Sequence, residues 1–428
     1  MKKGSTKYAI IVSLHDDVEE IQFLAESNGF EIIELFIQHR EKPDVTSYIG
    51  TGKKDEINTF TEDSDVEINA IIIDGTLKPS QWFLLEKHWG IPVYDRLRLI
   101  LMIFKDRADR KEARLQVRLA ELQYERPFVK ELIHRARSGE HPGLMAGGEY
   151  QVDDYYEMIK RQIRQIKEDL DQIRNQRKVR RQHRHHSGYY LVSLAGYTNA
   201  GKSSLLNVLT NDNIVVENKL FSTLSTTTRK LSQSSIPILM TDTVGFIQQL
   251  PAWIIEAFHS TLEEIKAADV VVLTVDISDS FPVFKQKVRT SFDELSALDV
   301  QSPVIIALNK MDLVEIEEIK EKESFINEFC MGKTFDLVSI SIHKQKNLDK
   351  LQKKIIDILP QLYQLEILLP NNEETQSFLS WIHDYSKCER IIYGSEVHLI
   401  VTAHQQIKEK IISKVKKFKG TLVMEKQI

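Results

Sequence analysis

Gly196-Tyr197-Thr198-Asn199-Ala200-Gly201-Lys202-Ser203 reads G-x-x-x-x-G-K-S. The apolar run Tyr189 to Ala195 before it has the character of a buried strand, and Ser203 to Leu209 after it reads as a helix. A phosphate-binding loop requires this strand–turn–helix setting. Glycines let backbone N–H groups turn inward around phosphate oxygens, and the helix N-terminus adds a partial positive charge. Lys202 supplies a full charge for the β- and γ-phosphates, and Ser203 a hydroxyl for Mg²⁺. Tyr197, Thr198, Asn199, Ala200 and Ser204 complete the expected cradle.

Three more motifs follow in the order a guanine-nucleotide site needs. Asp242-Thr243-Val244-Gly245 ends the apolar run Ile236 to Met240. A carboxylate at that strand end can hold Mg²⁺, and Gly245 leaves room for its N–H to approach a γ-phosphate. Asn309-Lys310-Met311-Asp312 follows the strand-like run Pro303 to Leu308. Asp312 can accept two hydrogen bonds from guanine, a donor pair that adenine lacks, so it selects GTP over ATP. Between the first two motifs lies the Thr-rich stretch Phe221 to Arg229, from which one hydroxyl is expected to complete the Mg²⁺ shell. The residue after Gly245, where many GTPases carry a water-orienting Gln, is Phe246. Phe cannot hydrogen-bond water, so slow unassisted hydrolysis is expected. Gln248 or Gln249 is the less favoured substitute.

Composition sets the class around this site. A chain of 428 residues implies roughly two to four domains. No apolar run approaches the ~20 residues of a membrane span, and the N-terminus lacks a signal-peptide core. Two cysteines, Cys330 and Cys388, form no disulfide framework and fit a reducing cytoplasm. With net charge −5 and pI about 6.3, any nucleic-acid surface must be local.

One such surface is Arg174 to His186, which holds six Lys or Arg, three His and no acid. The alternative is a solvated helix end or linker. A metal site from His183, His185 and His186 is disfavoured by the arginines beside them.

The chain divides, on this reading, into an α/β protein of four parts. Residues 1–104 form an N-terminal α/β unit with strands at Tyr8 to Leu14, Glu31 to Phe36, Asn69 to Asp74 and Ile91 to Tyr94. Helical stretches at Val18 to Glu26 and Ser80 to Lys87 imply a parallel sheet. Tyr48-Ile49-Gly50-Thr51-Gly52-Lys53 mimics a phosphate loop, but its glycine spacing is wrong. Residues 105–187 form a long antiparallel helical hairpin. Its first helix, about Arg107 to Arg137, repeats Leu115, Leu119 and Leu122; its second, about Asp154 to Arg184, carries the seam Ile159, Ile163, Ile166, Leu170 and Ile173. The joining loop, 138–153, is longer than a connector needs. Residues 188–364 form the P-loop GTPase domain, and 365–428 a small α/β domain with strands Arg390 to Tyr393 and Val397 to Thr402 and a Lys-rich helix, Gln405 to Phe418.

These features together resemble the HflX family of ribosome-associated GTPases. The resemblance is carried by Tyr48 to Lys53, Asp95-Arg96 with Leu99 to Phe104, Arg107-Ala108, Gln116 to Ala120, Leu122-Gln123-Tyr124, the GTPase motifs and Phe246 itself. It implies that Thr227 is the switch-one threonine, and that Ser341 and Ile342, in Ser341-Ile342-His343-Lys344, form the base loop. The family usually has Ala at Ile342 and Gly at Gln345. Lys202, Thr227 and Gly245 would then serve catalysis; Ser203, Thr227 and Asp242 would hold Mg²⁺; Gly196 to Ser204, Asp242, Gly245, Asn309, Lys310, Asp312, Ser341 and Ile342 would bind GTP.

The resemblance also implies a partner, the large ribosomal subunit and its rRNA, with the protein acting as a monomer away from membranes. In the family the hairpin tip reaches toward the peptidyl-transferase centre. Here Gly143, Leu144, Met145, Gly148, Glu149 and Tyr150 occupy it, with Met145 replacing an arginine, Gly147 a proline, and Tyr156-Glu157 an Arg pair. They and Arg177, Lys178, Arg180 and Arg181 are the expected rRNA contacts. Rescue of stalled ribosomes is the implied function, with the altered tip tilting toward the family's antibiotic-resistance branch. A GTP-dependent RNA chaperone or subunit-assembly factor is the alternative.

Overall fold

Strand β1 (Lys7–Ser13) is the hinge of the first sheet: it pairs in parallel with β2 (Phe30–Ile37) on one side and β3 (Ile68–Ile73) on the other, and β4 (Val93–Asp95) follows β3. The order β2-β1-β3-β4 places β1 and β3, whose side chains are nearly all buried, at the centre. The runs Ile10-Ile11-Val12 and Ile71-Ile72-Ile73 are continuous because both faces of a parallel sheet are covered. The computed structural model describes residues 7–137, 148–186, 189–210, 227–232, 237–243, 245–246, 251, 253–254, 259–330, 335–359 and 362–427. These fall into two compact units, one built on the chain up to Asp171 and the other on the chain from Gln172.

In the first unit, helices α1 (Glu19–Ser27) and α3 (Pro79–Trp89) match expectation. Two further helices do not. Helix α2 (Thr51–Asp63) starts in the segment that mimics a phosphate loop, and α4 (Arg96–Arg107) closes the N-terminal unit, ending where the first hairpin helix was expected to begin. Tyr48 is buried and donates its hydroxyl to the Asp74 carbonyl at 2.8 Å, and the Gly50 N–H donates to the Gln38 amide oxygen at 2.9 Å. The segment is a structural turn that starts a helix. Asp95 caps α4 by accepting from the Arg98 N–H at 2.8 Å, and it also accepts the Tyr124 hydroxyl at 3.0 Å. Arg96, 8% exposed, is neutralised by Asp74 at 3.1 Å and Glu20 at 2.7 Å, as a buried guanidinium must be.

The hairpin helices are α5 (Lys111–Arg137) and α6 (Gly148–His186). Ile159 and Ile166 are buried on the expected seam, as are Leu119 and Leu122 opposite. Arg118 donates to the Gln162 amide oxygen at 3.4 Å across the pair. Helix α6 begins six residues before the expected Asp154, so Gly148, Glu149 and Tyr150 lie in its first turn and not in the tip loop. Gly143, Leu144 and Met145 lie outside the described residues. Tyr155 donates to Glu125 at 3.4 Å, and the Lys160 ammonium sits 4.6 Å from the Tyr156 ring centre, so both aromatics are engaged within the hairpin.

The second unit holds a six-stranded sheet in the order β10-β9-β8-β5-β7-β6. Its strands are β5 (Tyr190–Gly196), β6 (Thr227–Lys230), β7 (Ile238–Asp242), β8 (Val270–Asp276), β9 (Val304–Asn309) and β10 (Phe335–Ser339). All pairings are parallel except that of edge strand β6 with β7. Helices α7 (Lys202–Thr210), α8 (His259–Lys266), α9 (Phe281–Ala297), α10 (Ile316–Phe329) and α11 (Leu348–Ile358) connect them. The core packs Leu205, Leu206 and Leu209 of α7 against Val192, Leu194, Ile238 and Met240. Each fully buried Leu contributes about 1.5–3 kcal/mol of transfer free energy. A C-terminal antiparallel sheet, β12-β13-β11-β14, consists of β11 (Leu362–Pro370), β12 (Lys387–Tyr393), β13 (Glu396–His404) and β14 (Thr421–Gln427). With α12 (Glu373–Tyr385) and α13 (Gln405–Lys417) it makes a split βαβ arrangement.

Candidate functional site

Strand β5 ends at Gly196, whose φ of +132° and whose contact with the Thr274 carbonyl exclude any side chain. The loop that follows turns through Asn199 at φ 65° and Gly201 at φ 97° into α7. This puts the loop at the carboxyl end of a parallel sheet and at the start of a nine-residue helix, where unpaired backbone N–H groups can receive an anion. Lys202 is 6% exposed and donates its ammonium to the Tyr197 carbonyl at 2.6 Å. Burial pulls its pKa down to about 8, against the opposing pull of Asp242.

Strand β7 delivers Asp242 beside the loop. The Ser203 hydroxyl donates to the Asp242 carboxylate at 2.6 Å, and the Thr243 hydroxyl donates to the Leu194 carbonyl at 2.7 Å. Thr227, the first residue of β6, lies directly across from Asp242 in the antiparallel register. Two hydroxyl residues and one carboxylate thus converge on one sheet corner. Hard oxygen donors of this kind suit Mg²⁺. No cluster of three or more His, Cys, Asp or Glu that could hold a metal exists among the described residues.

Gly245 sits tightly against the loop: a Cβ there would lie 2.8 Å from the Lys202 ammonium and 2.8 Å from the Thr198 methyl. Phe246 pairs with Tyr197 as a parallel bridge and is 5% exposed. Its side chain is packed, and its main chain is paired with the phosphate loop. Gln248 and Gln249 lie outside the described residues.

The base-reading residues come from the ends of β9 and β10. Asn309 donates its amide to the Ala200 carbonyl at 3.0 Å and accepts the Ile342 N–H at 3.3 Å, so it clips the phosphate loop to the base loop. Lys310 turns through φ 68°, and Asp312 lies in a short 3-10 turn, Met311–Leu313. The Ser341 hydroxyl holds the Asp312 carboxyl below the ordinary carboxylate value. Ser341 is itself fully buried and its hydroxyl accepts the Lys344 N–H at 2.9 Å. Gln345 adopts φ 51°.

The structure therefore brings together Gly196 to Ser204, Thr227, Asp242, Gly245, Asn309, Lys310, Asp312, Ser341 and Ile342. It does not describe the side chains of Glu149, Tyr150, Arg177, Lys178, Arg180 and Arg181, although all six belong to α6. The first arginine of the basic segment, Arg174, donates to Glu263 of α8 at 2.6 Å. Sequence spacing missed that pair because its members are 89 residues apart. It also missed the ion pair between Lys310 and Asp276 at the end of β8.

Comparison with known proteins shows the family. Residues 191–310 match a family model described as a 50S ribosome-binding GTPase; residues 15–105 match the GTP-binding GTPase N-terminal region, and 107–184 its middle region. The chain is 38% identical over 387 residues to the GTPase HflX of Thermococcus kodakarensis, covering 89% of this chain and 87% of that one. The chain belongs to the HflX family of GTPases. The HflX GTPase of Methanocaldococcus jannaschii is 39% identical over 342 residues, covering 80% of this chain and 83% of its own. A solved structure of the protein SsGBP in complex with GDP is 27% identical and aligns with a TM-score of 0.50 over 82% of this chain and 98% of that one. As an HflX GTPase, this chain binds and hydrolyses GTP. No described helix is long and apolar enough to cross a membrane.

Proposed function

We propose that this HflX GTPase acts as a cytoplasmic monomer that binds the large ribosomal subunit through its rRNA, hydrolyses GTP there, and separates or rescues stalled ribosomes. The observation that carries the proposal is the course of α6. Its last turns contain the six Lys and Arg of Arg174 to His186, and three residues separate it in sequence from β5, the strand that leads into the phosphate loop. A cationic helix directly joined to a nucleotide site suits phosphate-backbone contact, which dominates nucleic-acid affinity. Arg177, Lys178, Arg180 and Arg181 are the proposed contacts, with Arg174 committed to Glu263.

Within the site, Lys202 neutralises charge on the β- and γ-phosphates and the Gly245 N–H receives the γ-phosphate. Bound Mg²⁺ would neutralise phosphate charge, held by the hydroxyls of Ser203 and Thr227 with Asp242 beside them. Asn309 holds the two loops together, and Asp312 reads guanine. Phe246 offers no hydrogen bond to water, so the attacking water must be ordered by a group that the ribosome brings or positions. The tip residues Gly143, Leu144, Met145, Gly148, Glu149 and Tyr150 would act at the peptidyl-transferase region. The replacement of the family's arginine by Met145 favours a role in resistance to drugs that bind there.

Sedimentation of purified ribosomes with the full chain and GTP tests this. Conversion of whole ribosomes to subunits, with the chain on the large one, is expected. Binding only to immature large subunits, with whole ribosomes left intact, would establish the RNA chaperone or assembly role instead. Removing Leu144 to Gly147 should preserve large-subunit binding and abolish rescue or drug protection.

A further inference from the structure

Asp276 is the last residue of β8, and the parallel register sets it beside Asn309 at the end of β9. One oxygen of its carboxylate faces the Lys310 ammonium, in an ion pair with Lys310 30% and Asp276 12% exposed at the side chain. The other oxygen accepts both the Ser278 N–H at 3.0 Å and the Ser278 hydroxyl at 2.6 Å. The carboxylate is therefore held from one side and holds from the other.

The loop behind it is anchored just as firmly. The Ile277 N–H donates to the Asn309 carbonyl at 3.0 Å. Lys322 of α10, whose side chain is fully buried, donates to the Ile277 carbonyl and the Asp279 carbonyl at 2.7 Å each, and pairs with Glu318. Lys287 of α9 donates to both oxygens of Asp279 at 2.8 Å. Two helices thus fix the loop that follows Asp276, whose own ion pair falls on a residue of the N-K-x-D motif.

We propose that Asp276 is a positioning residue for guanine-nucleotide binding, acting through Lys310. Lysine is a flexible four-carbon chain with a strongly hydrated charge, and ordering it at the moment of binding weakens affinity. Lys310 lies between Asn309, which grips the phosphate loop, and Asp312, which reads the base. Asp276 settles the Lys310 conformation before nucleotide arrives and removes that ordering cost. Lys322 and Ser278 keep Asp276 in place. This inference rests on the GTPase activity alone and not on the ribosomal role.

The test is a double-variant cycle on the full chain, read as GDP affinity, GDP dissociation rate and the KM and kcat for GTP. Asp276→Asn keeps an acceptor for Ser278 and drops the charge. It should weaken GDP binding about five- to tenfold, the cost of ordering one long side chain on binding, and raise KM more than it lowers kcat. In a Lys310→Met background the same change should add less than about twofold, since the partner is already gone. Unaltered GDP affinity in Asp276→Asn overturns the proposal, as do effects that multiply in the double variant. If Asp276→Asn does not fold, Ser278→Ala leaves both charges intact and loosens only the carboxylate. It should speed GDP release, and unchanged release there would overturn the proposal equally.

Discussion

The backbone N–H of Thr198 donates to the carbonyl oxygen of Phe246 at 3.0 Å, and Phe246 returns its own N–H to the Gly196 carbonyl at 2.9 Å. The residue after Asp242-Thr243-Val244-Gly245 is thus stitched to the phosphate loop by its main chain, while its ring is buried. Nothing at this position can orient water. Unassisted hydrolysis should fall on the order of 10⁻⁴ to 10⁻² per second. Phe246→Gln should raise that rate by less than tenfold, because the backbone bridge still directs the side chain into packing. It should also lower stability by roughly 2–4 kcal/mol through lost burial and a buried amide. Single-turnover hydrolysis and thermal melting of the two proteins check both parts.

Guanine selection should survive mild acid. The Ser341 hydroxyl keeps the Asp312 carboxyl below its ordinary value, so the ionised acceptor persists as pH falls to 5 and is lost only as pH passes through that lowered value. GTP should bind at least about tenfold tighter than ATP across this range, as expected for a lost paired hydrogen bond. Asp312→Asn should shift preference toward xanthosine triphosphate. Equal affinities for GTP and ATP in competition binding would refute the assignment.

Lys202 gives a dependence at the alkaline end. Its ammonium is held down to about 8 by burial, and bound phosphate must raise it again. Nucleotide affinity should be flat below pH 8 and fall above it by up to about tenfold per unit, since binding then requires proton uptake. The stability of the nucleotide-free protein should move the other way. Between pH 8 and 10.5 the unfolded chain holds the proton that the folded chain has released, so this group adds stability as pH rises. Calorimetric binding in buffers of different ionisation enthalpy separates the two effects.

Gln345 adopts φ 51°, a left-handed conformation that costs a side chain about 1–2 kcal/mol. Gln345→Gly removes that strain and adds back about 0.5–1 kcal/mol of chain entropy in the unfolded state. The substitution should therefore raise the melting temperature slightly without loss of GTP affinity. A lower melting temperature would show that the Gln345 side chain contributes more than its strain.

The phosphate loop was legible because glycine spacing, an apolar strand and a helix start are all local. Asp312 and Asp242 were legible for the same reason. Helix α2 is not legible because Gly50 and Gly52 make its start resemble a phosphate loop, and its buried Ile57 is too sparse a signal for helical periodicity. The early start of α6 is not legible because Gly148 is a poor helix former. Strand β6, Thr-Thr-Arg-Lys, shows no apolar alternation, since an edge strand has one half-exposed face. The Asn309 clip to Ala200, the Arg174 pair with Glu263 and the Asp276 pair with Lys310 join residues that only the fold makes neighbours.

The most direct test of the ribosomal role is GTP turnover by the full chain, measured alone and with purified large subunits at equal nucleotide. A buried, non-hydrogen-bonding Phe246 requires outside help to order water. Large subunits should accelerate turnover on the order of a hundredfold or more, within the range that GTPase-activating partners supply, and small subunits should not. A rate already fast without particles and unchanged by large subunits would contradict it.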